Sequence, residues 1–475
     1  MSNYTPIDQI PEIHASLRKA FRSGVTRPLE WRRHQLHQLA RFVQENTDAL
    51  AHCLYLDLGK PRQEAVMGDI GPIVDRSLIC AKNLEEWVGE TSVKVQDWQQ
   101  GWNPRVRKEP KGVILIISPW NYPVVLSLQP LYGAIGAGCC ALIKVSEVAP
   151  HYATFLHDNL GKYLDPNCFK VALGEVPEIT KILELKWDHI FYTGNGRIAR
   201  VISHAAAEHL TPLTLELGGK SPVILDASAD VSLAAKRILW GKLNNAGQIC
   251  VAPDFVLAPK AIIPKFVEEL KRWHAEFYGG KNGDLEGDKF GKIVSEPHFK
   301  RLRGLLARTK GKVVMGGEVD EAKRKMQLTV VTDVKQDDAL LEGEIFGPII
   351  PIMAVENVQE AIDYINSRDH PLVLYAFATD ESVKKQIVDQ TTSGGVAFND
   401  TFGQMAMDEV PFGGVGESGY GRQVLKYSID NFVYERGVAD VPYAEEPHMG
   451  LRYPPYTKES LAAMSGFLSM KIPSA

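Results

Sequence analysis

Cys250 sits in the stretch Asn245-Ala-Gly-Gln-Ile-Cys-Val-Ala-Pro-Asp-Phe255, and Glu216 in Leu215-Glu-Leu-Gly-Gly-Lys-Ser-Pro222, about thirty residues earlier. A thiol on a glycine-containing loop, with a carboxylate on a second tight segment, suits covalent catalysis at a carbonyl. An ordinary thiol has a pKa of ~8.5, so a site must raise its thiolate fraction or deprotonate it on demand. Gly247 gives this loop the backbone freedom to expose the sulfur. Glu216, flanked by Leu215 and Leu217, has the apolar setting that raises a carboxyl pKa toward the range of a general base. Glu344, in Glu344-Ile-Phe-Gly-Pro348, is a second carboxylate of the same kind. Cys53, Cys80, Cys139, Cys140 and Cys168 read as small buried hydrophobes, the usual fate of a free thiol.

Asn121 lies in Ile117-Ser-Pro-Trp-Asn-Tyr-Pro123, directly after the apolar run Val113–Ile117. Ligands bind at the C-terminal ends of strands in an open α/β sheet. An amide placed there can donate to a developing oxyanion, and losing one such donor typically costs ~10²–10³ in rate. A Pro-flanked turn is the competing role for such an asparagine. Lys144 and Glu147 follow the run Ala141–Val145 and together can hold a ribose. Glu147 would also repel a 2′-phosphate, favouring NAD over NADP. A solvated Lys/Glu pair is the alternative on spacing alone. Gly194-Asn195-Gly196-Arg-Ile-Ala199 fits the Gly-x-Gly-x-x-Gly/Ala pattern that brings a pyrophosphate to a helix N-terminus. It stands late in the series of strands, so the usual first-turn geometry is not expected.

Positioning these residues requires an α/β frame. Residues 8–55 carry apolar positions at helical spacing, among them Leu36, Leu39, Phe42 and Val43. Residues 91–111 read as an extended or hairpin excursion. Thereafter the runs Val113–Ile117, Ala141–Val145, Phe169–Leu173 and His189–Tyr192 alternate with helical stretches at Val124–Ala137, Ala149–Lys162 and Val176–Leu185. That rhythm predicts a parallel sheet with crossover helices. A second series follows: strand Val223–Leu225, helix Leu233–Leu243, helix Ile262–Tyr278, and strands Ile349–Val355 and Gly395–Phe398. The tail ends in a helical stretch, Lys458–Met470.

With 475 residues, 45% hydrophobic content and a net charge of −5, the chain has the composition of a two- or three-domain globular protein. Its basic residues are scattered, which argues against a nucleic-acid partner. No Cys/His cluster has metal spacing, so no metal site is expected. The longest apolar run, Leu131–Ile143, is interrupted by glycines and falls short of the ~20 residues of a membrane span. Sparse, unpatterned cysteines and the lack of a signal pattern point to the cytosol.

Six segments together resemble the aldehyde dehydrogenase superfamily: Pro119–Asn121, Lys144–Glu147, Leu215–Pro222, Gly247–Cys250, Glu344–Pro348 and the glycine-rich Pro411–Gly421. Cys250-Val-Ala-Pro-Asp-Phe255 and the Arg452-Tyr-Pro-Pro-Tyr456 tail resemble its class 3, or fatty aldehyde, branch. The resemblance implies oxidation of aldehydes to acids with NAD, NADP being the alternative. Cys250 would form a thiohemiacetal and then a thioester. Asn121 and the Cys250 amide would stabilise the oxyanion, and Glu216 would activate the hydrolytic water, with Glu344 as the second candidate base. Glu344 would also hold the nicotinamide ribose, Phe346 would border the ring, and Trp120 would be a further cofactor contact. Tyr122 and Trp240 would line the aldehyde channel, core packing being the competing role for Trp240.

The fold implied is α/β: a Rossmann-like cofactor domain (1–84 and 111–214), an α/β catalytic domain (215–414) and a small β oligomerisation region (85–110 and 415–440). A C-terminal tail (441–475) completes the chain. The branch implies a homodimer. Val145 and Ala199 depart from the family's usual Pro and Gly, which bears on cofactor preference. Two rivals remain: a CoA-acylating relative, which would not need Glu216, and a non-enzymatic NAD-binding structural protein, which would not need the intact Cys250, Asn121 and Glu216 set.

Overall fold

The computed structural model describes residues 4–280 and 283–474. Ala475 and residues 1–3, where the sequence shows no signal pattern, lie outside them. The chain divides into two compact units, one of residues 1–87 and 110–433 and the other of 88–109 and 434–475.

The first unit is built on two sheets. In the first sheet, β1 (Val113–Ile117), β2 (Cys140–Lys144), β3 (Phe169–Ala172), β4 (His189–Thr193) and β5 (Leu213–Glu216) run parallel in the order β3-β2-β1-β4-β5. That 3-2-1-4-5 arrangement is the nucleotide-binding order, and it reverses direction between β1 and β4. The strands are continuous apolar runs because both faces are buried, so no inside/outside alternation is needed. Helices Pro123–Ala137, Pro150–Asn159 and Val176–Leu183 make the crossovers, within a residue or two of the sequence expectation except where Leu160–Lys162 tightens into a 3₁₀ turn.

The second sheet holds β6 (Pro222–Leu225), β7 (Phe255–Pro259), β8 (Lys312–Met315), β9 (Thr329–Thr332), β10 (Ile349–Val355), β11 (Val373–Phe377) and β12 (Gly395–Phe398), in the order β8-β9-β10-β7-β6-β11-β12. Only β8 is antiparallel to its neighbour. The chain leaves the first sheet at Glu216 and enters the second at Pro222, so the Glu216 segment bridges the two. Later, β13 (Gly419–Tyr420) returns to pair antiparallel with β5, Gly419 opposite Glu216.

In the second unit, Thr91–Ser92 pairs antiparallel with Arg105–Pro110, giving the expected hairpin excursion, with a 3₁₀ stretch at Asp97–Trp102 between them. Val433–Val438 completes a three-stranded sheet. The tail helix is shorter than its sequence suggests, Lys458–Met464, followed by a 3₁₀ turn at Gly466–Ser469.

Candidate active site

Cys250 lies in the loop between helix Val231–Leu243 and β7. Three consecutive residues before it are left-handed: Asn245 (φ 48°), Ala246 (φ 52°) and Gly247 (φ 74°). A Cβ on Gly247 would collide with the Gly347 carbonyl and stand 3.1 Å from the Lys242 oxygen, so the turn needs glycine on both counts. Asn245 and Ala246 carry real strain, and strain of this kind persists only where the surroundings hold it. The holding contacts are visible. Glu64 accepts from the Asn245 N–H at 2.8 Å, and the buried Gln248 amide donates to the carbonyls of Asn245 (2.9 Å) and Lys292 (3.0 Å). Cys250 itself is partly exposed. Burial pushes its thiol up to about 12, with the Glu344 and Glu216 carboxylates adding to the effect. The ligand-free thiol therefore rests protonated.

Asn121 follows β1 at the point where the first sheet reverses direction. Its Nδ2 donates to the Gln248 carbonyl at 3.1 Å, which ties the amide to the cysteine loop, and its second N–H meets no acceptor among the described residues. Its own carbonyl accepts from Lys60 Nζ and Asn245 Nδ2, both at 3.0 Å. Lys60 is wholly enclosed, paired with Asp69 at 3.0 Å and seated 3.6 Å over the Tyr122 ring. Asp69 in turn accepts from the Val125 N–H at 2.7 Å and sits on a π-helical turn, Val66–Ile70. Such turns recur at functional sites. The pro-flanked turn expected as the alternative role for Asn121 is thus part of a locked mount.

Lys60, Glu64 and Asp69 were not singled out from the sequence. Their types suggest a solvated surface, and only the Gly59-Lys60-Pro61 break marks the place. Burial raises the carboxyl pKa of both Glu64 and Asp69, opposed chiefly by the Asn245 amide and the Lys60 charge respectively.

Glu216 ends β5 fully buried, and neither carboxyl oxygen has a well-formed hydrogen bond among the described residues. Burial holds its pKa well above the ordinary carboxylate range, with the Arg422 charge opposing. Glu344 stands against the Gly218-Gly219 turn. A methyl on Gly218 would lie 2.5 Å from its Oε2, and its Oε1 is buried without a hydrogen-bond partner among the described residues. Burial and Asp254 lift the Glu344 carboxyl to about 8, against the Lys220 charge and the Gly219 amide.

Beneath these groups lies a further charged cluster missed in the sequence. Asp254 binds Lys220 in a close ion pair and accepts from the Ile345 N–H at 3.0 Å, while fully buried Lys242 stands 3.9 Å away. Burial draws the Lys242 ammonium down to about 8, with Asp254 opposing.

The residues expected to meet a cofactor are spread along the first sheet and the Glu344 loop. Lys144, at the end of β2, is buried rather than solvated, its Nζ donating to Val145 O at 2.6 Å and to Glu147 at 3.3 Å. Burial lowers its pKa, with Glu147 opposing. Gly194 and Asn195 open helix Gly196–Ala207. Asn195 caps it, accepting from the Ile198 N–H at 3.0 Å, so one terminal donor is already used. A groove of about 240 Å³ runs beside that helix, lined in part by Ala199, Arg200, Ser203, Leu217 and Glu417. Phe346 (φ 50°) meets Trp120 edge-on at 5.4 Å. The unpartnered Glu344 Oε1, the glycine cradle beside it and this aromatic pair fit a ribose and a planar ring, so the residues present suit a dinucleotide.

Trp240 is 45% exposed and packs edge-on against Phe402 at 5.5 Å, which excludes the core role weighed for it. Tyr122 packs against Gly68 of the π turn, 3.2 Å from where a Cβ would stand. Among the described residues, no group of acidic, histidine or cysteine side chains could hold a metal ion, and no helix is long and apolar enough to cross a membrane.

Comparison with known proteins places this geometry in context. The aldehyde dehydrogenase family profile matches residues 6–438. Aldehyde dehydrogenase family 3 member B2 of Mus musculus is 42% identical over 441 residues, covering 93% of this chain and 91% of the mouse protein. The substrate-bound structure of Staphylococcus aureus AldH superposes with a TM-score of 0.93 at 35% identity, covering 97% of this chain and 99% of that one. S. aureus betaine aldehyde dehydrogenase in complex with NAD⁺ aligns with a TM-score of 0.83 at 25% identity, covering 91% and 87%.

Proposed function

This chain belongs to the aldehyde dehydrogenase family and is an NAD(P)-dependent aldehyde dehydrogenase, and we propose that Cys250, Asn121 and Glu216 carry its chemistry. The observation that carries the assignment is the direct tie between the Asn121 amide and the Gln248 carbonyl, two residues before the thiol. It supports the pairing of that amide with the loop that carries the thiol.

Cys250 Sγ gives its proton up to solvent as it bonds to the aldehyde carbon. The carbonyl oxygen takes the displaced electron pair as an oxyanion, and the free N–H of Asn121 and the Cys250 backbone N–H receive it. NAD(P), when bound, supplies a cationic ring that accepts the hydride and so leaves a thioester on Cys250. Glu216 then takes a proton from water as the water oxygen adds to the thioester carbon. Collapse expels the sulfur, releases the carboxylic acid and restores the thiol. Burial that raises the Glu216 pKa also makes its carboxylate a stronger base. Glu344 is the second candidate for that step. Lys144, Glu147, Gly194, Asn195, Glu344, Phe346 and Trp120 are assigned to the cofactor, with NAD preferred because Glu147 would meet a 2′-phosphate.

Aromatic, medium-chain, long-chain and apocarotenoid aldehydes fit a channel bordered by Tyr122 and Trp240. The division of labour is cofactor binding by 1–84 and 111–214, catalysis by 215–414, and association of two copies by 85–110 and 415–440. A cytosolic homodimer completes the reading, supported by cysteines without a disulfide framework. Light scattering of the purified chain tests the dimer.

NADH formation by wild type and Cys250→Ala, with benzaldehyde and a medium-chain alkanal and without CoA, tests the chemistry. Turnover by wild type alone supports it. Strict dependence on CoA, or turnover by the alanine variant, overturns it.

A further inference from the structure

Three segments that carry assigned residues meet at one ion pair. Lys220 stands four residues after Glu216, and Asp254 four residues after Cys250. The two side chains pair, nearly enclosed, and close on the loop that carries Glu344. An ammonium has three N–H donors, and Lys220 uses all of them: one on Asp254 Oδ2, one on the Leu340 carbonyl at 2.9 Å and one on the Gly343 carbonyl at 3.0 Å. Asp254 divides its carboxylate in turn. Oδ2 takes Lys220, and Oδ1 accepts the Ile345 N–H at 3.0 Å. The Asp254 N–H donates to Ser221 O at 2.8 Å, so the two segments are joined through their backbones as well.

The loop contacts are centred on one residue. The Gly343 carbonyl and the Ile345 N–H belong to the two peptide groups on either side of Glu344. Each peptide group is a rigid plane, so holding both restricts φ and ψ at Glu344 and fixes the direction of its side chain. Oε1 of Glu344 has no hydrogen-bond partner among the described residues, so no tie on that oxygen competes with the direction the backbone sets. Phe346, two residues on, has φ 50°, a conformation that persists only where the surroundings hold it. A buried ion pair is a weak source of stability, because desolvation offsets the attraction. What this one supplies is placement.

We propose that Lys220 and Asp254 are positioning residues for the cofactor: their ion pair holds both peptide groups of Glu344 and so aims its carboxylate at the nicotinamide ribose. The inference rests on Glu344 being the ribose contact. Both residues act through the loop rather than by touching the cofactor. Lys242 Nζ stands 3.9 Å from Asp254 Oδ1, so removing Lys220 still leaves that carboxylate a neighbouring ammonium. Arg301 Nη2 donates to Ile345 O at 2.7 Å in every variant used below, so the loop keeps an anchor when Gly343 is released.

The test is calorimetric titration of NAD⁺, and separately of AMP, into wild type, Lys220→Met, Glu344→Gln and the variant carrying both changes. AMP is the adenosine half of the cofactor and lacks the nicotinamide ribose. Lys220→Met is expected to weaken NAD⁺ binding by about tenfold, the worth of a hydrogen bond to a charged group, and to leave AMP binding unchanged. It should add nothing further in the Glu344→Gln background, because the two residues act as one unit. Equal losses for NAD⁺ and AMP mark a general structural role and overturn the proposal, as does a full further loss in the combined variant. Unchanged NAD⁺ affinity in Lys220→Met, with Glu344→Gln weakened, overturns the proposal alone. Unchanged NAD⁺ affinity in Glu344→Gln removes the ribose reading, and the proposal with it. Should Lys220→Met not fold, Lys220→Met with Asp254→Leu, which removes both charges, takes its place in every titration. Failure of that variant to fold as well makes the pair a requirement of the fold and overturns the positioning role.

Discussion

Lys60 Nζ lies 3.0 Å from Asp69 Oδ2 with both side chains wholly enclosed, and the same ammonium donates to the Asn121 carbonyl at 3.0 Å. Asn121, which we assign as the oxyanion donor, is therefore mounted on a buried ion pair. Breaking such a pair by removing one partner typically costs about 3–5 kcal/mol, since a charge is left unpaired. Lys60→Met is expected to lose stability on that scale in denaturant unfolding. Replacing both partners, as Lys60→Met with Asp69→Leu, should recover much of the stability while kcat stays low, because Asn121 O still lacks its ammonium donor and keeps only the Asn245 amide. Recovery of both would reduce the pair to a packing element.

The thiol should behave as a weak acid in the ligand-free enzyme. With its pKa raised to about 12, the thiolate fraction grows with pH through the whole accessible range. Alkylation of Cys250 by iodoacetamide should therefore rise steadily with pH and show no plateau near neutrality. Glu344 opposes the thiolate only when charged, above about pH 8. In Glu344→Gln, alkylation should match wild type at lower pH and run several-fold faster above pH 8. A plateau near pH 7 would contradict the assigned environment.

Much of this frame is legible in the sequence, for a physical reason. Strands such as Val113–Ile117 are buried on both faces, so they read as unbroken apolar runs. Cys250, Asn121 and Glu216 stand in local patterns that mark them. The features that surround them in the fold are set by distant contacts. Asn245 and Ala246 adopt positive φ without being glycine, held by Glu64 and Gln248. Lys60, Asp69, Lys242 and Asp254 have the sequence signature of solvated charge, and only tertiary packing encloses them. Lys144 likewise gives no sign that it is buried.

Gly218 has no room for a side chain, because a methyl would stand 2.5 Å from Glu344 Oε2. Gly218→Ala should displace that carboxylate and weaken NAD binding by about tenfold or more, the worth of a hydrogen bond to a charged group. Titration by quenching of tryptophan fluorescence reads the change. Unchanged affinity would move the ribose contact away from Glu344.

Glu147 is the carboxylate we assign to excluding a 2′-phosphate, and its tie to Lys144 is a single 3.3 Å contact. Glu147→Gln keeps the shape and removes the charge. The ratio of kcat/KM for NADP to that for NAD should rise by about tenfold, from relief of one like-charge contact at an effective dielectric between water and protein. An unaltered ratio would place cofactor discrimination elsewhere.

The central claim is that Cys250 carries an acyl group which Glu216-activated water removes. Rapid mixing of Glu216→Gln with NAD⁺ and benzaldehyde, followed by mass analysis of the Cys250 peptide, tests it most directly. The account predicts a burst of about one NADH per active site, a benzoyl adduct on Cys250 and a steady rate lower by about 10²–10⁴. A steady rate equal to wild type, with no adduct, would contradict it and pass the base role to Glu344.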